Sequence, residues 1–90
     1  MKRYPKVISV FPKSNHRLLV TFDNGMRKLY DCTPLMETET FSPLKEDWLF
    51  RSVRADLGGY GISWNDELDL SESELWENGR LVENKETAPN

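Results

Sequence analysis

A single cysteine, Cys32, and a single histidine, His16, are the chain's whole stock of thiolate and imidazole metal ligands. One cysteine excludes an internal disulfide. A structural zinc site draws on several thiolates or imidazoles, so it too is excluded, and no cofactor or metal is expected. So little cysteine fits a reducing cytosol. Long apolar runs are also missing: nothing approaches the roughly 20 residues needed to span a bilayer. The start, Met1-Lys2-Arg3-Tyr4-Pro5, is basic, but no long apolar stretch follows it as in a signal peptide. The expected location is therefore cytoplasmic, with no membrane contact.

Catalytic groupings are equally scarce. A nucleophilic cysteine needs a cationic or basic neighbour to hold its thiolate, whereas Cys32 follows Asp31 and the one histidine sits in a different loop. Gly58-Gly59-Tyr60-Gly61 has neither the lysine nor the strand-to-helix setting of a phosphate loop, and reads as a hairpin turn. Asp31, Asp56 and Asp69 would form an acid/base or metal site only if they converged; local capping of turns explains them more simply. No enzyme is expected.

What the chain does have is aromatic bulk and polarised charge. Three Trp, four Phe and three Tyr in 90 residues can fill a small core, because each ring buries a large area. Trp48 and Trp64 read as core, and Trp76 as the tryptophan that reaches the surface. Residues 1–30 hold seven basic side chains against Asp23, whereas residues 66–90 hold eight acids against Arg80 and Lys85. Two readings follow: two solvated regions that attract one another, or a basic patch for an acidic partner.

Val7 to Phe11, Leu18 to Phe22 and Met26 to Asp31 read as three strands. Asn24-Gly25 marks a hairpin. A two-residue turn there pairs Val20 with Leu29. A three-residue turn with a bulge pairs Phe22 with Met26 and Leu18 with Tyr30, and this second register is preferred. Thr33-Pro34 opens a single helical turn. Leu44 to Ser52 reads as a short helix with Leu44 and Trp48 on one face. Val53, Ala55 and Leu57 alternate as in a strand, and Ile62 and Trp64 share a face of the next. Ser71-Glu72-Ser73-Glu74 has the form of a capping box, and Asn78-Gly79 ends the helix it starts. The expected fold is α+β: a curved, antiparallel, five-stranded sheet in the order β-β-β-α-β-β-α, with two short helices. Residues 1–82 make one domain, and residues 83–90 read as a disordered polar tail.

The chain resembles domain-of-unknown-function family 2442 over about residues 7 to 76. The resemblance is carried by Val20-Thr21-Phe22-Asp23-Asn24-Gly25, by Leu29-Tyr30-Asp31 leading to Pro34-Leu35, and by Phe41, Leu44, Phe50 and Val53. Ile62-Ser63-Trp64, Asp69-Leu70 and Leu75 complete it. The family usually has a glycine between the Trp and the Asp-Leu; here the link is Asn65-Asp66-Glu67-Leu68. The resemblance implies a strongly curved antiparallel sheet with one or two helices. It brings no catalytic residues. It also implies a bacterial protein standing beside another small protein in an operon, where some members are regarded as antitoxin-like.

Two functions are carried forward. The first is a non-catalytic protein-interaction or accessory module, the antitoxin-like half of an operon pair, with Trp76 as the partner contact and homodimerisation left open. The second is a nucleic-acid-associated regulator using a basic face of Lys6, Arg17, Arg27 and Lys28 among Tyr4, Phe11 and Tyr30. The net charge of −3 and the lack of a nucleic-acid motif weigh against the second.

Overall fold

Alternation of apolar residues with period two sets up a meander at the N-terminal end of the chain. A computed structural model describes residues 3–82, where β1 (Val7–Lys13), β2 (Arg17–Phe22) and β3 (Arg27–Asp31) form antiparallel pairs. Leu18, Val20 and Phe22 of β2 are buried, and Arg17, Leu19 and Thr21 point the other way. The β2–β3 register follows the bulged turn: Leu18 lies opposite Tyr30, and the Phe22 amide donates to the Met26 carbonyl at 2.9 Å. Gly25, at φ +87, takes the left-handed position that this three-residue turn requires. Leu18, Val20, Phe22 and Tyr30 are buried, while Met26 at the turn is exposed. An extra residue, Ile8, bulges out of β1, so that Val7 and Val10 both face inward.

The sheet expectation needs correction. The strands form two sheets, not one of five: β1-β2-β3-β7 and β4-β5-β6, where β4 is Arg54–Ala55, β5 is Gly61–Asn65, β6 is Leu68–Ser71 and β7 is Arg80–Leu81. β4 runs beside β1, yet no ladder joins them. Two features of the sequence oppose one: Pro12 has no amide to donate, and β4 is only two residues long. The strands missing from the sequence reading are β6 and β7. The turn before β6 closes without glycine, because the Asn65 Oδ1 accepts from the amides of both Glu67 and Leu68 at 2.9 Å.

The segment from Leu44 to Ser52 is not one helix. A 3₁₀ turn over Ser42–Lys45 stops at Glu46, whose ψ of 120 is extended, and a four-residue helix α1 (Asp47–Phe50) restarts beyond it. The break rotates Trp48 off the face of Leu44. Leu44 is buried, whereas Trp48 is 71% exposed and is not a core residue. Leu57 likewise leaves the expected alternation: β4 ends at Ala55, and Leu57 stands on a turn, fully in solvent.

Helix α2 (Glu72–Asn78) starts where the capping signal stands, with the Ser71 Oγ accepting from the Glu74 amide at 3.2 Å. Trp64 is 3% exposed, shares a face with Ile62, and donates its indole N–H to the Phe50 carbonyl at 3.0 Å. These residues, with Leu75, Leu68, Leu70, Met36 and Cys32, complete one core between the sheets. Among the described residues no helix is long and apolar enough to cross a membrane. The polar segment 83–90 lies outside the described residues.

Candidate interaction surface

Helix α2 is acidic, and its acids meet donors from the first third of the chain. The Lys6 Nζ lies 3.3 Å from a Glu72 carboxylate oxygen. The Tyr30 hydroxyl donates to Glu74 at 2.7 Å, and the Tyr4 hydroxyl donates to Glu77 at 2.5 Å. Lys28 sits 3.9 Å above the Trp76 ring and donates to the Trp76 carbonyl, near the negative end of the helix. The charge polarity of the sequence is thus partly consumed inside the fold. Burial, with Glu74 beside it, pushes the Tyr30 phenol well above its ordinary value, so the hydroxyl remains a donor.

Strand alternation divides the expected basic face in two. Lys28 lies opposite Val20, on the inward side of the sheet, and Lys6 precedes β1 and turns to α2 and the Tyr60 ring. Tyr4 and Tyr30 go with them. Arg17 and Arg27 remain on the outward side. The four proposed cations therefore do not form one surface, because neighbours in a strand point to opposite faces.

Trp76 is half-buried. Its ring packs edge-on against Phe22, with centroids 5.1 Å apart, and Lys28 covers one face. The indole is held from two sides and does not project as a free anchor. Leu75, beside it, is fully buried.

The outward side of β1-β2-β3-β7 carries what is left. Phe11, Leu19 and Leu29 are register partners and form one apolar row across three strands, with Arg80 of β7 at its end. Phe11 is 62% exposed, and Leu19 and Leu29 are half-buried without belonging to the core cluster. Lys13 and Arg17 pair in the row on one side, ending at Asp31; Arg27 stands in the row on the other, level with Thr21 and Ser9. Among the described residues Asp31 is the acid of this face. Its Oδ1 accepts from the Thr33 amide at 2.9 Å, and Thr33, with Arg17 and His16 further off, holds its carboxyl below the usual range. The Arg17 Nε is buried and lacks a hydrogen-bond partner. The sequence names Phe11 and Arg17 for a surface role; the row itself requires the register of both hairpins.

The groups considered for catalysis are engaged otherwise. Cys32 donates its amide to the His16 carbonyl at 2.9 Å, but the imidazole stacks edge-on against Phe50. Burial, reinforced by Asp31, pushes the Cys32 thiol up to about 12, far from the thiolate a nucleophile needs. Asp56 accepts from the Ser63 hydroxyl at 2.6 Å, and Asp69 is exposed on β6. Among the described residues no three histidine, cysteine or acidic side chains gather to hold a metal ion.

Comparison with known proteins adds one assignment. The model of a family described as a protein of unknown function (DUF2442) matches residues 7–80 of the chain. No curated protein and no solved structure matches it.

Proposed function

We propose that this chain, which belongs to the DUF2442 family, is a non-catalytic interaction module that binds a protein partner through the outward face of its four-stranded sheet. The observation that carries the reading is the Phe11–Leu19–Leu29 row, solvent-facing and flanked by cations. A water-exposed apolar row rimmed by charge is the pattern of a contact surface, with ring and aliphatic anchors at its centre and polar groups at its rim. The partner fitting an antitoxin-like or accessory role is the product of the adjacent gene. This replaces Trp76 as the anchor, since Phe22 and Lys28 already occupy its ring.

The test is co-expression with the adjacent gene's product and affinity capture through a tag on this chain. Wild type is expected to retain the product, and Phe11→Glu to lose it about tenfold or more, as for a hot-spot residue. Equal retention by the variant would remove the outward face from the reading. The nucleic-acid alternative shares Arg17 and Arg27 with this face, but a single-strand platform stacks successive bases on successive rings, and Phe11 is the aromatic residue of this face.

A further inference from the structure

We infer that the outward face of the four-stranded sheet takes an amphipathic, acidic α-helix of the partner, lying along the Phe11–Leu19–Leu29 row with carboxylates on both of its flanks. This rests on the interaction-module reading and adds the chemistry and shape of what binds. Strands lie about 4.8 Å apart, so a row crossing four strands is about 14 Å long. Ten helical residues span about 15 Å at 1.5 Å each. The flanking rows are two residues away along the strands, about 7 Å on either side of the apolar one. A helix is about 10 Å across, so an apolar stripe seated on Leu19 and Leu29 puts its side positions over those rows.

Charge selects the sign of those positions. Lys13 and Arg17 wait on one flank, Arg27 on the other and Arg80 at the end, against Asp31 alone among the described residues. Three of these four cations are arginines, whose planar fork matches a carboxylate. Lysine-flanked helices meet like charge on both sides. A strand added to a sheet edge would reach the backbone of β7 and leave the apolar row uncovered. A single-stranded nucleic acid would satisfy the cations and leave the two leucines without a π-face to meet.

The experiment uses the full chain with leucine methyl groups and phenylalanine rings isotopically labelled, followed by NMR. Three probes are titrated: a 14-residue peptide with leucine at helical spacing and glutamate on both flanks, the same peptide with lysine for glutamate, and a ten-nucleotide oligothymidylate. The acidic peptide is expected to shift the Leu19 and Leu29 methyls and the Phe11 ring while leaving Leu18 unmoved, to bind at least tenfold tighter than the lysine peptide, and to weaken at least tenfold in Arg27→Glu. Outward signals unmoved by the acidic peptide overturn the inference, and so does equal binding of the lysine peptide. Outward signals that move with chain concentration alone also overturn it, in favour of a second copy as the occupant. If the acidic peptide fails while Phe11→Glu still loses the adjacent gene's product, the helix is wrong and the interaction reading stands. If oligothymidylate binds the face more tightly than either peptide, both fail.

Discussion

The two faces of the four-stranded sheet use the same kinds of residue to opposite ends. Inward, Phe22 is fully buried, Tyr30 donates to Glu74, and Lys28 is spent on the Trp76 ring and carbonyl. Outward, one strand position away, Phe11 stands in solvent, Leu19 and Leu29 lie outside the core, and among the described residues four cations face a single acid. On the inward side Lys6 pairs with Glu72 and Lys28 with the Trp76 carbonyl; on the outward side the Arg17 Nε is buried without a hydrogen-bond partner. An acidic protein with a basic N-terminal third can therefore still offer a positive surface, since Glu72, Glu74 and Glu77 lie on the helix behind the sheet and not on its outward face.

The contrast is sharpest for a matched pair of phenylalanines. Phe22→Ala should cost about 3–5 kcal/mol, enough to unfold much of so small a domain, and Phe11→Ala less than about 1 kcal/mol. Urea denaturation of both variants checks this, and similar costs would show that the outward face is part of the core. Trp64→Ala belongs with Phe22, at about 3–5 kcal/mol, because the variant loses the buried ring and leaves the Phe50 carbonyl without its donor.

Titration separates the faces in a second way. Cys32 and Tyr30 both have raised pKa values in the folded chain, and both are neutral when protonated. Their contribution is complete below the unfolded values and is lost as pH rises through and above them. The melting temperature should therefore fall progressively between pH 9 and pH 12, and Cys32→Ala should flatten that fall after a modest loss at neutral pH. A melting temperature independent of pH over this window would contradict the burial of both groups. Tyr30→Phe should cost about 1 kcal/mol at neutral pH, through the lost hydrogen bond to Glu74. Lys13→Glu and Arg27→Glu, on the outward face, should each change stability by no more than about 0.5 kcal/mol in the same urea titration.

Much of the inward face was legible in the sequence, because burial there follows period-two alternation and turn chemistry. Asn24-Gly25 allowed two registers, of which the preferred, bulged one is the one observed, and Ile62 with Trp64 marked β5. β6 escaped notice because its alternation, Leu68-Asp69-Leu70-Ser71, is four residues long and sits between an acidic turn and a capping signal. β7 is two residues held by its pairing with β3, which no local propensity announces. Trp48 was misassigned because its spacing from Leu44 is helical, while Glu46 breaks the helix between them. The basic face rests on cations of neighbouring strands, whichever side of its strand each one takes. The preferred register already set Lys28 opposite Val20 and hence inward, so that division was within reach; the contacts of Lys6 and Lys28 with α2 were not, since they join residues far apart in the chain.

The central claim is that the outward face binds and does not hold the fold together. Phe11→Glu, captured with the adjacent gene's product, tests it most directly when retention is read beside the urea midpoint of the same preparation. The account predicts a midpoint close to wild type and retention reduced about tenfold or more. Undiminished retention, or a midpoint that collapses as for a core variant, would contradict it.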